Sequence, residues 1–245
     1  MESVYLVTGG SSGLGEAIVH ALLDDGSRVA ILDIEPPIST DLDKHRTNVI
    51  YIKTDITSED EVLAALTMVK TRFGKLSGVI NSAGIFAHAS IYNFETNCPH
   101  SLELFNRVLQ VNLTGTFNVI RLALTLLMQN EINNIGEKGV IINISSIGGL
   151  DGRPGNIAYT ISKAAMSGMT SALAKELASQ CIRVVDIAPG FFHTPMTENV
   201  APESINFQFP NRGGRPEELA EFVKVVLTTP MLNGCTLRFD AGQSV

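Results

Sequence analysis

The feature that most constrains the fold of this chain is a regular alternation between short apolar runs and longer helical patterns. The apolar runs are rich in Val, Ile and Leu, which is typical of parallel strands covered on both faces. Strands that alternate with helices predict a doubly wound parallel sheet with right-handed crossovers. The predicted strands are residues 3–8, 28–32, 49–53, 77–81, 139–145, 182–188 and 235–239. The predicted helices are residues 14–25, 59–73, 101–129, 157–179 and 216–228.

One connection departs from this alternation. The segment at residues 34–48, IEPPISTDLDKHRTN, carries Pro36 and Pro37 and lacks a helical period. We expect a loop or a short turn of helix there, because proline interrupts helical hydrogen bonding. The chain shows neither repeats nor an interdomain linker. The sequence therefore predicts one α/β domain over residues 1–245, with a sheet of about seven strands and helices on both faces.

Charge and composition exclude several function classes. The net charge of −7 argues against a general binder of nucleic acids or anionic membranes. Three cysteines and five histidines are scattered without the spacing of a disulfide framework or a metal cluster. No apolar run approaches the roughly 20 residues of a membrane span, and the first residues enter a strand at once. The sequence predicts a soluble intracellular protein without a metal, in a reducing compartment.

A glycine-rich stretch, TGGSSGLG at residues 8–15, lies between the first predicted strand and the first predicted helix. Glycines there permit a tight turn and a close backbone approach, and the helix N-terminus offers free N–H groups to a pyrophosphate. The alternative is an ordinary strand-to-helix turn, which also uses glycine. The residues predicted to bind a dinucleotide here are Gly9, Ser12, Gly13, Leu14 and Gly15.

Asp33 closes the second predicted strand, where a carboxylate can accept hydrogen bonds from the adenosine ribose hydroxyls of a dinucleotide. The alternative is a helix cap or a turn residue. A carboxylate repels a 2′-phosphate, and Arg28 is the only cationic residue between Leu6 and Asp33. The sequence therefore predicts NAD rather than NADP as the cofactor.

Two further segments end predicted strands and should reach the same crevice. Strand carboxyl ends line the ligand site at the switch point of an open parallel sheet. One segment follows the third strand, and the other is NSAG, which ends the fourth strand. The residues expected to contact the cofactor there are Asp55, Ile56, Asn81, Ser82, Ala83 and Gly84.

The stretch AYTISKAAM, residues 158–166, places Tyr159 and Lys163 four positions apart, on one face of a helix. Taken alone, the pair is most simply two surface side chains that extend into water. Beside a dinucleotide site a second interpretation becomes available. A phenol, with a pKa of about 10, is a poor base at neutral pH, whereas a neighbouring ammonium group favours the phenolate. Tyr159 would then exchange a proton with a substrate hydroxyl.

Together these motifs resemble the short-chain dehydrogenase/reductase family over essentially the whole chain. The motifs that carry the resemblance are TGGSSGLG, NSAG, Asn112 within VNLTGTF, Ser146, Tyr159 with Lys163, and APG at residues 188–190. The resemblance implies a Rossmann-type fold and an NAD-dependent oxidoreductase acting on a secondary alcohol or its ketone. More narrowly, IAPGFFHTPM and TTPMLNGCTLRFDAG are similar to the type II 3-hydroxyacyl-CoA dehydrogenases, which are also described as type 10 17β-hydroxysteroid dehydrogenases.

The resemblance also implies a role for each site residue. Tyr159 exchanges the hydroxyl proton, and Lys163 lowers its pKa and binds the nicotinamide ribose. Ser146 holds the substrate oxygen, whereas strand alternation turns its rival, Ser145, to the other face. Asn112 is expected to kink its helix so that its amide and a freed carbonyl hold a water that relays protons to Lys163; the alternative is a solvated helix residue. The residues expected to contact or close over the nicotinamide are Pro189, Gly190, Phe192 and Thr194.

Substrate selectivity is expected to come from a lid at residues 194–215. Its apolar residues could wall a slot for an acyl chain or a steroid, and its two arginines could meet the phosphates of coenzyme A. The alternative for the arginines is that they only cap or solvate the loop. Because the lid is short, a short 3-hydroxyacyl-CoA is favoured. The apolar residues are Met196, Ile205, Phe207 and Phe209, and the arginines are Arg212 and Arg215.

Other functions remain as alternatives. A 3-oxoacyl-carrier-protein reductase or a hydroxysteroid dehydrogenase would use the same site, and a nucleotide-sensing module would need only the glycine-rich loop. The predicted helices 101–129 and 157–179 carry more apolar and small residues than are needed to cover one face of the sheet. Members of the resembled family pair these two helices between subunits. A homotetramer is therefore expected. The expected location is the cytoplasm, with the mitochondrial matrix as the alternative, and neither nucleic acid nor membrane is an expected partner.

Overall fold

A computed structural model describes residues 3–37, 40–200 and 205–243, and their main feature is one parallel sheet. Its strands are β1 (Val4–Thr8), β2 (Arg28–Asp33), β3 (Val49–Lys53), β4 (Gly78–Asn81), β7 (Gly139–Ile144), β8 (Ile182–Pro189) and β9 (Thr236–Phe239), while β5 (Tyr92–Asn93) and β6 (Cys98–Pro99) form a separate hairpin. The sheet order is β3-β2-β1-β4-β7-β8-β9. Strands are added outward from β1 on one side and outward from β4 on the other. The strand order therefore reverses between β1 and β4, which opens a crevice at their carboxyl ends.

The helices connect the strands as right-handed crossovers require. They are α1 (Gly13–Asp24), α2 (Glu59–Phe73), α3 (Leu102–Leu109), α4 (Thr116–Leu127), α5 (Ile147–Asp151), α6 (Ile157–Leu177) and α7 (Pro216–Thr228). Local chemistry sets their ends, as α2 illustrates. The Ser58 hydroxyl accepts a hydrogen bond from the Glu61 N–H at its start, and Gly74 adopts a left-handed conformation with φ of 80° at its end.

Two apolar layers cover the sheet, one on each face. Successive strand residues point to opposite faces, so Leu6 of β1 packs with α2, α4 and α6, whereas Val7 packs with α1 and α7. Both side chains are fully buried. The near-continuous apolar strands of the sequence follow from this arrangement, because neither face of the sheet is left to water.

The predicted fold class is confirmed, and each predicted strand of the sheet lies within one or two residues of an observed one. The predicted helix 101–129 differs, because a π-helical segment, Gln110–Gly115, separates α3 from α4. The crossover at residues 34–48 contains a 3-10 turn at Thr40–His45, and its residues 38–39 lie outside the described part. The sequence analysis missed α5 and the hairpin because segments of two to five residues are too short to show a period.

Two kinds of feature are absent from the described residues. No helix there combines the length and the apolar character that crossing a bilayer requires. No group of three or more His, Cys, Asp or Glu side chains in residues 3–37, 40–200 and 205–243 is arranged to hold a metal ion.

Arg183, near the start of β8, forms a buried ion pair and also contacts the end of α7. The Arg183 Nε on β8 donates to the Glu137 carboxylate at 2.8 Å, and both side chains are only 7% exposed. The same guanidinium donates to the backbone carbonyls of Val226, Leu227 and Leu232, which satisfies carbonyls at the C-terminal end of α7. Arg183 therefore needs Glu137 as its counter-charge.

We expect Glu137→Gln to lower the free energy of unfolding by about 3 kcal/mol, because it leaves a buried guanidinium without a charged partner. The matched control is Glu59→Gln. Glu59 pairs with Arg121 at 2.7 Å, but its side chain is 58% exposed, so its loss should lower the free energy of unfolding by less than about 1 kcal/mol. Urea unfolding of both variants measures the difference. Equal losses would contradict the account.

Candidate active site

A cavity of about 510 Å³ lies at the carboxyl ends of the strands, where the sheet order reverses. It runs from the glycine-rich loop, past the ends of β2 and β3, to the face of α6 that carries Tyr159 and Lys163. Most residues predicted to bind the cofactor line it. Those residues are Gly9, Ser12, Gly13, Leu14, Gly15, Asp33, Asp55, Ile56, Ser82, Ala83, Gly84, Tyr159, Lys163 and Thr194.

The glycine-rich loop is shaped by close backbone contacts. Gly9 has a φ of +64°, and a Cβ placed on it would lie 2.7 Å from the Cα of Ala83, closer than any side chain allows. Gly15 packs against the backbone of Gly9 in the same way. Ser12, the N-cap of α1, makes no side-chain hydrogen bond to the helix, so the first amides of α1 remain available to an anion. Such a cradle fits a pyrophosphate.

Asp33 borders the cavity at the end of β2 and is held by backbone amides. Its Oδ2 accepts from the Ser11 N–H at 3.0 Å and its Oδ1 accepts from the Glu35 N–H at 3.3 Å. The cations in the cavity lining are Arg107 and Lys163, and both come from helices on the other side, α3 and α6. The end of the cavity at β2 is therefore acidic.

Tyr159, Ser146 and Lys163 meet at the other end of the cavity. The side chain of Tyr159 is hydrogen-bonded to that of Ser146, whose Oγ also accepts from the Gly148 N–H at 3.1 Å. The Lys163 Nζ donates to the Ile144 carbonyl at 2.8 Å and lies 5.7 Å from the centre of the Tyr159 ring. Lys163 is 4% exposed, so the interpretation of the pair as surface side chains is wrong.

Burial dominates the ionisation of both groups. It raises the pKa of Tyr159, and the hydrogen bond from Ser146 opposes this only in part. It lowers the pKa of Lys163 to about 8, against the attraction of Asp186. Burial therefore disfavours the phenolate, and the expectation that Lys163 and an oxidised nicotinamide together bring the pKa of Tyr159 down stays a prediction.

Asn112 lies in the π-helical segment, which confirms the predicted kink, and it is fully buried. Its Oδ1 accepts from the Ile85 N–H at 2.7 Å, while its Nδ2 donates to the Ile85 carbonyl and to the Ser162 hydroxyl. Its carbonyl accepts from the Thr116 hydroxyl at 2.8 Å. The amide is thus engaged by protein, and a relay of protons through a water beside Asn112 stays a prediction. Its observed role is to brace the chain after β4.

The two adjacent serines at the end of β7 face opposite ways, as strand alternation predicts. The Ser145 hydroxyl donates to the Asp186 carboxylate at 2.8 Å and to the Ile187 carbonyl at 3.3 Å. Ser146 instead lines a second cavity, of about 120 Å³, together with Tyr159. Ser146 is therefore the serine that a substrate oxygen could reach.

This second cavity contains residues that the sequence analysis missed. The Phe86 ring packs edge-on against Tyr159 with ring centres 5.2 Å apart, and Arg153 places a cationic side chain in the lining. Neither residue belongs to a motif with a fixed spacing, so only the fold brings them to Tyr159. The remaining lining residues with side chains near this end include Asn156, Phe191, Met196, Val200 and Gln243.

Four of the predicted cofactor contacts do not border the large cavity. Asn81 is buried beneath it and donates to the Asn143 side chain at 3.0 Å. Phe192 is also buried, and its ring stacks on Phe239 with centres 5.9 Å apart. Gly190 borders the second cavity, and Pro189 borders none of the cavities described. Asn81, Pro189 and Phe192 lie at the carboxyl-end edge of the sheet, as predicted from strand and loop position. They do not line the large cavity at that edge.

The lid at residues 194–215 is anchored by charge, and its residues 201–204 lie outside the described part. Arg212 donates to both Glu218 carboxylate oxygens at 2.6 and 2.8 Å, and Arg215 lies 3.6 Å from the same carboxylate. Both arginines therefore help to hold the loop, and their contact with coenzyme A phosphates stays a prediction. Among the apolar lid residues, Met196 borders both cavities, whereas Phe209 is 87% exposed.

The remaining apolar lid residues point away from the second cavity. Ile205 is buried. The Phe207 ring packs against Phe191 with centres 6.0 Å apart and lines a third cavity, beside Arg212 and Glu218. A slot walled by all four apolar residues is therefore wrong for the described lid.

Comparisons with known proteins agree with this geometry. Residues 3–204 match the family model described as short chain dehydrogenase. The 3-hydroxyacyl-CoA dehydrogenase type-2 of Drosophila melanogaster is 41% identical over 97% of this chain and 96% of its own length. The crystal structure of 3-hydroxyacyl-CoA dehydrogenase type-2 from Mycobacterium avium superposes with a TM-score of 0.91 at 34% identity, over 100% of this chain and 96% of that one.

A third relative comes with a bound cofactor. The 3-ketoacyl-(acyl-carrier-protein) reductase of Brucella melitensis, complexed with NADH, superposes with a TM-score of 0.83 at 29% identity, over 99% of this chain and 98% of that one. The fold, the cavity at the strand ends and these matches agree from one end of the described chain to the other. This chain belongs to the short-chain dehydrogenase/reductase family.

Proposed function

We propose that this chain is an NAD-dependent oxidoreductase that transfers a hydride between nicotinamide and a secondary alcohol or its ketone. The observation that carries the proposal is the position of Tyr159. Tyr159 borders both cavities, and Ser146 lines the smaller one beside it. A proton-transferring group at the junction of a dinucleotide-sized cavity and a small cavity is what such a reaction requires.

The residues of the large cavity fit a dinucleotide. Gly9, Gly13 and Gly15 would hold the pyrophosphate at the start of α1, and Asp33 would accept hydrogen bonds from the adenosine ribose. The Ser11 Oγ, in the same loop, is buried and has no hydrogen-bond partner among the described residues. The acidic end of the cavity favours NAD over NADP, since a 2′-phosphate would face Asp33. The NADH complex of the Brucella relative supports this choice.

Tyr159 is the group that we assign to proton transfer, and bound NAD supplies the hydride acceptor for alcohol oxidation. Because burial raises the pKa of Tyr159, the phenolate needs positive charge nearby. Lys163 provides one such charge at 5.7 Å from the ring. Ser146 would hold the substrate oxygen against the Tyr159 hydroxyl, and Asn112 would keep the chain at Ile85 in place through its backbone hydrogen bonds.

For the substrate we propose a short 3-hydroxyacyl-CoA. The relatives named for this activity support it, as do the apolar walls of the second cavity, including Phe86, Phe191 and Val200. A volume of about 120 Å³ suits a short acyl group better than a long one. Arg153, rather than Arg212, is the cation placed to meet an oxygen-rich part of the substrate.

A 3-oxoacyl-carrier-protein reductase is the second candidate, and the structural likeness to the Brucella enzyme favours it. A hydroxysteroid dehydrogenase is a third. A nucleotide-sensing module is disfavoured, because a sensor would not need Tyr159, Ser146 and Lys163 brought together beside a second cavity.

Three further properties belong to the proposal. The chain forms one domain, and it assembles as a homotetramer through the helices on one face. Exposed apolar side chains on these helices support the assembly: Leu102 is 70% exposed, Phe117 48% and Ile161 40%. The three cysteines are free thiols, which suits the cytoplasm or, alternatively, the mitochondrial matrix.

Replacing Asp33 with Ala should weaken NAD binding about 10- to 100-fold, because a hydrogen bond to a charged group contributes about 1.5–3 kcal/mol. Discrimination against NADP should fall in the same variant. Glu35→Ala is the matched control, since Glu35 is exposed and does not line the cavity. Titration of protein fluorescence with each nucleotide measures both effects. Wild-type protein that binds NADPH as tightly as NADH would contradict the assignment.

Tyr159→Phe should lower kcat for alcohol oxidation by about 10²- to 10⁴-fold, because only the transferable proton is lost. NADH binding should stay close to the wild-type value. In the wild type, the active form has one proton left on the Tyr159–Lys163 pair, so the oxidation rate should rise with pH as the pair loses its first proton and fall as it loses the second. Tyr92→Phe is the control, because its hydroxyl bonds Asn97 in the β5–β6 hairpin. Substantial activity in Tyr159→Phe would refute the assignment.

The substrate class is tested by comparing kcat/KM for acetoacetyl-CoA, a steroid ketone and a carrier-protein-linked 3-oxoacyl group with NADH. We expect acetoacetyl-CoA to be preferred at least about tenfold, which corresponds to about 1.4 kcal/mol of transition-state binding. A comparable preference for either rival would replace the acyl-CoA proposal with that substrate class, while leaving the assignment of Tyr159 untouched.

A further inference from the structure

A carboxyl group lies buried behind the candidate site, outside both cavities. Asp186 is in the middle of β8 and is 0% exposed. Its Oδ2 accepts hydrogen bonds from three hydroxyls: Ser145 at 2.8 Å, Ser167 at 2.6 Å and Thr236 at 2.9 Å. Its Oδ1 is buried and has no hydrogen-bond partner among the described residues. Burial raises the pKa of Asp186, whereas these three hydrogen bonds and the charge of Lys163 lower it, so the hydroxyl shell favours the carboxylate.

The three hydroxyls connect Asp186 to both sides of the candidate site. Ser145 immediately precedes Ser146, which is hydrogen-bonded to Tyr159. Ser167 lies one helical turn after Lys163 on α6, and its hydroxyl also reaches the Lys163 carbonyl at 3.4 Å. The carboxylate therefore contacts the strand that carries the serine and the helix that carries the tyrosine and the lysine.

Lys163 is an ammonium group in surroundings that otherwise disfavour charge. It is 4% exposed, and the hydrogen bond observed for its Nζ goes to a neutral carbonyl, that of Ile144. A buried ammonium group without a counter-charge loses several kcal/mol of solvation, about what is needed to drive off its proton. Asp186 is the anion that attracts it, and it opposes the effect of burial on the pKa of Lys163.

We propose that Asp186 is a positioning residue, whose carboxylate orients Ser145 and Ser167 behind the site and keeps Lys163 protonated by balancing its charge. This rests on the proposed function in one respect, since the benefit of a protonated Lys163 is the phenolate that it favours at Tyr159. Asp186 itself exchanges no proton with the substrate, because it borders neither cavity.

Other charged groups around the pair are already engaged or lie at a distance. On β9, Arg238 follows two residues after Thr236 and is bonded to Asp151 and Asp240. Several other charged or titratable groups border the cavity or the elements around Asp186 and Lys163. They are Tyr159 on α6, Arg107 on α3, Asp33 and Asp55 after β2 and β3, and Arg238 on β9.

The direct test is the ionisation of Lys163 in the chain without substrate. Protein labelled with ¹³C at the lysine Cε is titrated by NMR, and the Lys163 resonance is identified by its loss in Lys163→Met. We expect Asp186→Asn to lower the pKa of Lys163 by about one unit or more, the effect of removing a nearby opposite charge. Thr236→Val is the matched control, because it removes one hydrogen bond to Asp186 and keeps the charge.

The outcomes separate charge balance from structural support. A lower Lys163 pKa in Asp186→Asn, with little change in Thr236→Val, supports the proposal. An unchanged pKa in folded Asp186→Asn, or equal changes in both variants, overturns it. This titration needs no turnover, so it remains decisive if the dehydrogenase activity itself is not found.

A second variant covers the case in which Asp186→Asn does not fold. If the instability comes from an uncompensated ammonium group, removing that group should relieve it. The double variant Asp186→Asn with Lys163→Met should then unfold at a higher urea concentration than Asp186→Asn alone. If the double variant is as unstable as the single one, Asp186 serves only the packing of the sheet, and the proposal is overturned.

Discussion

The candidate site depends on contacts between backbones that only glycine permits. A Cβ on Gly149, in α5, would lie 2.6 Å from the Ala164 nitrogen and 2.7 Å from the Lys163 carbonyl carbon of α6. Because α5 begins directly after Ser146, this contact sets the distance between the serine and the helix that carries Tyr159. Gly9 and Ala83 make the equivalent contact at the other end of the cavity. The two ends of the site are thus fixed by backbone, and the side chains between them inherit their positions.

Close packing has an electrostatic consequence. It removes water from the reacting groups, so the pKa of Tyr159 is raised and that of Lys163 is lowered to about 8. Both changes disfavour charge, which runs against a reaction that needs a phenolate beside an ammonium group. A negative charge that stabilises the buried ammonium group must therefore lie nearby. We assign this role to Asp186, behind α6, whose Oδ2 accepts from three hydroxyls.

Sequence reasoning predicted those features that have a period or a fixed spacing. Every strand of the sheet was predicted because apolar strands covered on both faces are distinctive, and Tyr159 with Lys163 followed from helical geometry. Arg153 and Phe86 were missed because their approach to Tyr159 depends on how loops cross the strand ends. Asp186 gave a signal that went unused: a single acid within the apolar run IRVVDIA has to be buried, and a buried charge needs partners.

Sequence reasoning considers each polar group as free, whereas polar groups inside the protein compete for partners. Asn112 was predicted to hold a water and Arg212 to meet a phosphate. In the folded chain the amide is taken by the backbone of Ile85, and the guanidinium by Glu218. Buried or partly buried polar groups find partners within the protein wherever the fold offers them. The groups left for a ligand are those that the fold does not satisfy.

Two adjacent serines after β7 serve two different purposes, one behind the candidate site and one within it. Ser145 and Ser146 end the same strand but point to opposite sides, since the side-chain period of a strand is two residues. Ser145 turns inward and completes the hydroxyl shell of Asp186, whereas Ser146 turns outward to Tyr159. The charge balance behind the site and the hydrogen bonding within it are therefore coupled through a single peptide unit. A shift of one residue in the pairing of β7 with β8 would exchange the two hydroxyls and disrupt both.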